Sequence, residues 1–297
     1  MWVINNRKIF YAIALLLVVG SFVSFGIWGL KPGIDFTGGT LIEVSYTAER
    51  PAQDVIAAEL TSIDSAASIR AAGTDGYIIR MKPISQEEKA TVFAALSPDA
   101  TNKAIEKNFS SIGPVLGKEA LRKSLMSIFF VLLAIVLFIT FAFRKVSEPV
   151  SSWKYGLIAI VSLAHDVIIP TGVFAFLGHY AGYEVDTLFV TALLVVLGFS
   201  VHDTIVVFDR VRENLHHASS KKPFSEVVGE SVSQTFTRSI NTSLTTLIAL
   251  VVLYFVGGPS TEHFSLALII GIAAGTYSSI FIGSPLLVTM EKWGKKQ

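Results

Sequence analysis

Cysteine is absent from this chain of 297 residues, and charged residues are scarce. Without cysteine the chain can form no disulfide, has no thiol nucleophile and offers no thiolate to a metal. Asp, Glu, Lys and Arg make up 16% of the residues, against about 25% in a soluble domain. The net charge of +1 provides no electrostatic case for binding nucleic acid. Scarce charge beside 52% hydrophobic residues indicates that lipid is the solvent for much of the chain.

Six apolar stretches are long enough to cross a membrane, which takes about 20 mostly apolar residues. They are Ile9–Leu30, Leu125–Phe143, Tyr155–Leu177, Thr187–Phe208, Ser239–Val256 and Phe264–Met290. The first could instead be a cleaved signal peptide. Its apolar run is long for that, however, and Trp28-Gly29-Leu30 is not a small-residue cleavage site. We therefore expect a retained anchor and six transmembrane helices.

Basic residues in the short loops predict the orientation of these spans. They stand before span 1, between spans 2 and 3, between spans 4 and 5, and after span 6, whereas loops 178–186 and 257–263 hold none. The residues are Arg7, Lys8, Arg144, Lys145, Lys154, Arg210, Arg212, Lys221, Lys222, Arg238, Lys292, Lys295 and Lys296. All fall on one side of six threaded spans, so both termini are expected in the cytosol and the insert after span 1 outside.

That insert, residues 31–123, is polar, and its pattern of apolar residues is typical of a small domain that contains both helices and strands. Strands are expected at Thr40–Thr47, Ala67–Ala71, Tyr77–Met81 and Asn102–Ile112, and helices at Pro51–Leu60 and from Ser85 to Leu96. Ser85 followed three residues later by Glu88 predicts a capping box. The order β-α-β-β-α-β is the ferredoxin-like pattern.

The predicted fold is therefore an α-helical integral membrane protein with six transmembrane helices and one external α+β ferredoxin-like domain between helices 1 and 2. Residues 1–30 form the N-terminus and the first span, 31–123 the domain, and 124–297 spans 2–6 with a cytosolic C-terminus.

Two carboxylates inside the spans are the strongest functional signal. A charged group near the bilayer centre costs about 2.5–3.5 kcal/mol, so it normally faces a partner or water. Asp166 lies in span 3 near the membrane middle, and Asp203 lies close to the cytosolic end of span 4. Each follows a histidine, His165 or His202. Neighbouring helical residues point about 100° apart, which favours hydrogen-bond support or a proton relay along a hydrated region over a metal pair.

Span 5 begins with an arginine and a run of hydroxyl and amide side chains. Arg238 precedes Asn241 and Thr242, which can support hydrogen bonds inside a membrane. Spans 4 and 5 enter from opposite sides, so Asp203 and Arg238 are both expected near the cytosolic end. An aspartate that exchanges a proton beside a permanently charged arginine is a workable proton gate. A static ion pair, or an arginine that only extends to the interface, stays open at this point.

Two further patterns concern packing. Ala267, Gly271, Gly275, Ser279 and Gly283 recur every four residues in span 6, a ridge of small side chains that lets another helix approach closely. The 211–237 connection carries Phe224, Val227, Val228 and Val232 at helical spacing, which predicts a short amphipathic helix at the cytosolic interface.

Several long motifs resemble a known family. They are Gly33-Ile-Asp-Phe-Thr-Gly-Gly-Thr40, Ile112-Gly-Pro-Val-Leu-Gly-Lys-Glu119, Ala164-His-Asp-Val167, the run from Phe199 to Asn214, Thr235-Phe-Thr-Arg-Ser-Ile-Asn-Thr-Ser-Leu-Thr-Thr246 and Gly275-Thr-Tyr-Ser-Ser-Ile-Phe281. In this order they closely resemble the SecF family of bacterial protein-translocase subunits, over essentially the whole chain.

The resemblance implies a multi-pass protein of the bacterial inner membrane with its α+β domain in the periplasm. It implies SecD as a partner, the SecY/SecE/SecG channel, YajC and YidC as neighbours, and secretory preproteins as clients. The family is thought to use the proton-motive force, without a cofactor, to help exported chains clear the channel. Its helix-4 aspartate falls on Asp203 and its helix-5 arginine on Arg238. Many members have Asn where this chain has His202.

Other classes of function are weighed beside this one. The chain could be a scaffold subunit of the translocon, or a proton-coupled exporter of small molecules like the RND (resistance-nodulation-division) pumps, which the family resembles in its membrane part. An enzyme is the least favoured class, because the sequence has no visible nucleophile–base set and no metal-ligand spacing.

Overall fold

The computed structural model describes residues 2–99, 102–144, 151–218 and 222–294. They form two compact units: a sheet unit, Pro32–Leu125, and a helical bundle made of the residues up to Lys31 and those from Met126 onward. Among the basic residues used above for orientation, Lys145, Lys221, Lys295 and Lys296 lie outside the described residues.

Within the residues that the structure describes, six helices are long and apolar enough to span a membrane, as predicted. In the bundle, a short helix α1 (Trp2–Asn5) precedes α2 (Arg7–Trp28). The others are α7 (Ser152–Tyr180), α8 (Thr187–His217), α9 (Phe224–Val256), α10 (Pro259–Ser278) and α11 (Ser284–Gly294). Helix α6 (Pro114–Ala142) begins in the sheet unit and ends in the bundle. A π-helical turn, Ser279–Gly283, joins α10 to α11, so that the two form the sixth span.

The connection between spans 4 and 5 differs from its prediction. We expected a loop over 211–237 with a separate amphipathic helix, and this is wrong. Helix α8 continues to His217, and α9 begins at Phe224. The apolar residues expected on that helix are the buried face of the first turns of α9, where Phe224, Val228 and Val232 pack against Val211 of α8. Hydropathy detected only the apolar part of each helix, because both extend as polar-faced helices beyond it.

Helix α6 also begins earlier than predicted, at Pro114 and not at Leu125. Proline is favoured in the first turn of a helix because it has no N–H there to leave unsatisfied. Its first turns carry charged residues, including Glu119 and Lys123, which form an ion pair of 2.8 Å. The hydropathy of that segment is therefore low although it is helical.

The spans differ strongly in how much of each is buried inside the chain. In their most apolar stretches of 18 residues, the spans formed by α7, by α8 and by α10 with α11 bury half or more of the residues, whereas the spans formed by α2, α6 and α9 bury less than a quarter. Glycines permit the close contacts at the centre: a Cβ on Gly271 would collide with Val196, and one on Gly275 would lie 2.9 Å from Ser200 Cβ. Gly271 and Gly275 of the small-residue ridge thus pack against α8.

The sheet unit contains four strands, β1 (Gly39–Ser45), β2 (Ser68–Ala72), β3 (Gly76–Met81) and β4 (Ile105–Ile112), in the order β2-β3-β1-β4. All neighbouring strands are antiparallel. Helices α4 (Gln53–Thr61) and α5 (Gln86–Ala95) cover one face, and their apolar side chains form the core with those of β1 and β3. Ser85 and Glu88 form the predicted capping box.

The sheet unit differs from its prediction chiefly at the start of β4 and at its entry from span 1. Strand β4 begins at Ile105 and not at Asn102, because the Asn102 side chain hydrogen-bonds to the backbone of Ala48 and Glu49 instead. A short helix, α3 (Ile34–Thr37), was not predicted. It leads into Gly38, whose φ of 75° favours glycine and where a Cβ would lie 2.7 Å from Pro114 Cα. The chain entering the sheet therefore packs directly on the start of α6.

Candidate functional site

Asp166 is a fully buried carboxylate on α7, at the point where α8 and α10 pack against that helix. Ser200 of α8 and Ser278 of α10 donate hydroxyl hydrogen bonds of 2.5 and 2.8 Å to Oδ2. His165 Nδ1 lies 2.9 Å from Oδ1. Both oxygens therefore have partners, and the carboxylate connects three helices in the centre of the bundle.

His165 contacts the neighbouring carboxylate directly, although adjacent helical residues point in different directions. The ring also stacks on Tyr277, with 6.0 Å between the ring centroids. Nε2 is buried and has no hydrogen-bond partner in the part of the chain that the structure describes.

Asp203 is buried on α8, with 7% of its surface exposed, and is held differently. Ser239 of α9 donates a hydrogen bond of 2.6 Å to Oδ1. Oδ2 is buried and accepts no hydrogen bond from any described residue. A proton can therefore be added to Oδ2 without displacing an existing donor, which is not the case at Oδ2 of Asp166.

The other polar residues singled out in spans 4 and 5 lie on the outside of the bundle. Arg238, His202, Asn241 and Thr242 are all exposed. Within the described ranges no ion pair joins Arg238 to Asp203, although Arg238 directly precedes the serine that bonds this carboxylate. Polar side chains at membrane depth require water or protein beside them. The structure thus brings the arginine near the carboxylate along α9 without pairing the two.

The sixth span is joined to α8 and to α9 by further hydroxyl contacts beside these carboxylates. Thr204 and Ser279 share a hydrogen bond of 2.8 Å, and Ser243 of α9 shares one of 2.6 Å with Thr276 of α10. Together with the close approach at Gly271 and Gly275, they align α10 against α8 so that Ser278 reaches Asp166. The packing residues predicted in span 6 therefore position Ser278, one of the hydrogen-bond donors to Asp166.

Sequence reasoning missed the serines that hold the two carboxylates, Ser200, Ser239 and Ser278. Hydroxyl groups in a spanning helix are a usable signal, but their partners depend on how the helices pack. No three His, Asp or Glu side chains converge as a metal site within the described residues. What the arrangement offers chemically is two buried carboxylates that differ in their capacity to accept a proton. Ser200, which donates a hydrogen bond to Asp166, and Asp203 lie about one turn apart on α8.

Two family models match the chain. One, described as protein export membrane protein SecD/SecF, C-terminal, matches residues 92–293. The other, the SecD/SecF GG motif, matches residues 23–49 and thus covers the tight turn at Gly38.

Curated relatives match over nearly their whole length. The protein translocase subunit SecF of Thermobaculum terrenum is 41% identical over 97% of this chain and 93% of its own. That of Pseudomonas aeruginosa is 37% identical over 95% and 89%.

A solved structure has the same fold. The crystal structure of SecDF from Thermus thermophilus, described as a translocon-associated membrane protein, superposes with a TM-score of 0.82 at 31% identity. It covers 97% of this chain, which spans 38% of that longer chain.

Proposed function

Because the chain belongs to the SecD/SecF family of protein-export membrane proteins, we propose that it acts with SecD to use the proton-motive force in preprotein export. The chain would be an accessory, non-enzymatic subunit near the SecY/SecE/SecG channel, with YajC and YidC as further neighbours. SecDF is one chain in the Thermus structure, and this chain corresponds to about two fifths of it. The remainder of such an assembly would come from a separate SecD partner.

The observation behind the proton coupling is the unpaired oxygen of Asp203. A buried carboxylate with one bonded and one unbonded oxygen can gain a proton while its bond to Ser239 persists. One charge moved through 100 mV corresponds to about 2.3 kcal/mol, enough to shift a two-state equilibrium by roughly fiftyfold. Protonation of Asp203 would therefore be able to change how α8 packs against α9.

Arg238 and the other exposed polar groups would complete this site from outside. Arg238, His202, Asn241 and Thr242 form a polar surface at membrane depth, which lipid cannot satisfy. A SecD helix bundle would cover this surface, and Arg238 would find its counterion there or on Asp203, depending on the protonation of Asp203. Asp166 would act as a second proton-binding group or as a brace.

The α+β unit would be the periplasmic part of the machine. Its strand order β2-β3-β1-β4 and its antiparallel pairing fit the ferredoxin-like pattern. We place both termini in the cytosol of a bacterial cell, on the basis of the basic loops, and the sheet unit in the periplasm, where emerging preproteins would meet it.

The test is export of a secretory protein into inverted inner-membrane vesicles, with and without a proton gradient. The comparison is between the intact complex and the complex with Asp203→Asn, which keeps shape but cannot take up a proton. The matched control is Asp209→Asn on the same helix, since Asp209 is largely exposed and faces Arg212 at 3.5 Å. The gradient's benefit should disappear in the first variant and persist in the second.

The scaffold function is the second candidate, and the fully bonded Asp166 favours it. If Asp203→Asn keeps the whole benefit of the gradient while subunit levels are normal, the intramembrane carboxylates are structural. The small-molecule exporter would require direct efflux by the purified complex.

A further inference from the structure

Three buried polar atoms of α7 have no hydrogen-bond partner among the described residues: Tyr155 Oη, Ser162 Oγ and His165 Nε2. Their side chains are 0%, 1% and 4% exposed. Buried polar atoms in folded proteins almost always have a partner, from protein or from ordered water. Three such atoms on one helix therefore point to ordered water beside each of them.

The spacing places these atoms along one face. At about 100° per residue, Ser162 lies about 20° from Tyr155 around the helix, and His165 about 60° further. The row rises about 15 Å over ten residues. It begins at Tyr155, in the first turn of α7, and ends at His165, whose other ring nitrogen contacts Asp166.

The segment that faces Ser162, in the middle of this row, has a local irregularity at the same level. Gly283 lies in the π-helical turn between α10 and α11, and a Cβ at Gly283 would be 3.2 Å from Ser162 Oγ. A glycine here leaves room beside the serine hydroxyl that any other residue would fill. π-Helical turns occur frequently at functional sites, because they displace backbone and side chains from the regular helical ladder.

We propose that this face of α7 holds a row of ordered water molecules that conducts protons between Asp166 and the cytosolic end of the helix. The ligand is water, hydrogen-bonded in turn to Tyr155 Oη, Ser162 Oγ and His165 Nε2. This proposal rests on the proposed proton coupling and adds to it a route that runs through α7 and the π-turn, separate from the α8–α9 contact of Asp203.

The histidine connects the water row to the carboxylate. A water molecule at Nε2 gives a proton to that nitrogen and receives one from the next water. The proton on Nδ1 passes along the existing 2.9 Å hydrogen bond to Asp166 Oδ1. One proton enters the ring and one leaves it, so the imidazole stays neutral and the carboxylate becomes a carboxylic acid. The reverse sequence releases the proton.

The first arm of the test detects the water itself. The intact complex is exposed to X-ray-generated hydroxyl radicals, which form from water bound inside the protein and modify the side chains beside it. Tyr155 should be modified severalfold faster than Phe174, a matched aromatic residue of α7 that is 1% exposed and packs against Phe189. Equal, background-level modification of both would overturn the proposal.

The second arm measures gradient-driven export in inverted vesicles. Gly283→Ala places a methyl group beside Ser162 and should lower the gradient's benefit about tenfold, whereas Gly198→Ala on α8, with no atom within 4 Å of its Cβ, should not. Tyr155→Phe removes only the hydroxyl group and should cause a severalfold loss even if Gly283→Ala fails to assemble.

Asp203→Asn run in parallel separates the two proposals. If it abolishes the gradient's benefit while Tyr155→Phe and Gly283→Ala assemble and export like the wild type, the water row is structural and the α7 route is wrong. If Asp203→Asn exports like the wild type, the proton coupling fails and this route fails with it, whatever the radicals modify.

Discussion

The two buried carboxylates of the bundle are held in opposite ways. Asp166 lies between α7, α8 and α10, and both oxygens accept hydrogen bonds from Ser200, Ser278 and His165. Asp203 lies between α8 and α9, where Ser239 bonds one oxygen and the other has no partner among the described residues. The first site belongs to the spans whose apolar stretches are best buried, whereas less than a fifth of the apolar stretch of α9 is buried inside the chain.

This difference gives the two carboxylates different roles, one in the stability of the bundle and the other in proton exchange. A carboxylate fixed by three donors resists movement, because any shift breaks several hydrogen bonds at once. A carboxylate fixed by one donor can turn or take up a proton at a smaller cost. We therefore assign the larger structural contribution to Asp166 and the larger conformational response to Asp203.

Removing each carboxylate tests the comparison with the largest expected effect. Asp166→Ala leaves three buried donors without an acceptor, each at about 1–3 kcal/mol, so the free energy of unfolding should fall by about 3 kcal/mol or more. Asp203→Ala leaves one, and should cost roughly a third as much. The measurement is reversible unfolding of the bundle in mixed micelles by detergent titration. If the two variants lost equal amounts of unfolding free energy, the two carboxylates would not differ in how much they stabilise the bundle.

Packing at Gly275 offers a test that affects one site and spares the other. The Cβ that Gly275→Ala adds would lie 2.9 Å from Ser200 Cβ and would separate α10 from α8. Overpacking of this kind costs about 1–3 kcal/mol, and here it should also lengthen the bonds to Asp166. Infrared difference spectra with isotope-labelled aspartate should show a changed Asp166 band and an unchanged Asp203 band.

Ser200→Gly provides the control for that variant, since it removes the atom with which the new methyl group collides. The double variant should recover packing but not the lost hydroxyl bond. A Gly275→Ala protein as stable as the wild type would show that the helices separate freely, and that the ridge is not what aligns Ser278.

Parts of this arrangement could be predicted from the sequence, and the reasons are local. Hydropathy located the six spans, and Ser85 with Glu88 predicted a capping box, because both signals depend on neighbouring residues. The same is true of Asp166 and Asp203, whose charge inside an apolar run is visible without a structure. The small-residue ridge was equally visible, although its partner helix was not.

What could not be predicted depends on packing between distant segments. Ser200, Ser239 and Ser278 resemble any other serine of a spanning helix until α8, α9 and α10 are placed together. The π-turn at Ser279–Gly283 has no signature in composition. The continuation of α8 to His217 was missed because its last turns are polar. Hydropathy shows which part of a helix is apolar enough to lie in lipid, and not where the helix ends.

Ser239→Ala changes the more weakly held site alone and should lower the free energy of unfolding less than Asp166→Ala does. It removes the one bond to Asp203, at about 1–2 kcal/mol, and leaves Asp166 untouched. The gradient's benefit in vesicle export should fall severalfold with normal subunit levels. Ser239→Thr keeps a hydroxyl group and should restore most of it. If Ser239→Ala unfolds the bundle as much as Asp166→Ala does, Asp203 is a brace and the comparison is wrong.

Asp64, in the sheet unit, is a carboxylate that also accepts hydrogen bonds, but water can compete for them. Its substitution therefore has the smallest expected effect on stability. Backbone N–H groups of Lys82 and Ala66 donate bonds of 2.7 and 3.0 Å to it and hold its pKa below the usual value. A lowered folded-state pKa adds stability above the unfolded pKa of about 3.9, and this is lost as the pH falls through the folded value. Because the group is solvated, the contribution should stay below about 1 kcal/mol. Hydrogen exchange of the β3 amides in the full chain, at pH 6 and pH 3, should show a smaller pH effect in Asp64→Asn than in the wild type. If Asp64→Asn lowered the free energy of unfolding as much as Asp166→Ala does, burial would not be what distinguishes the carboxylates of the bundle.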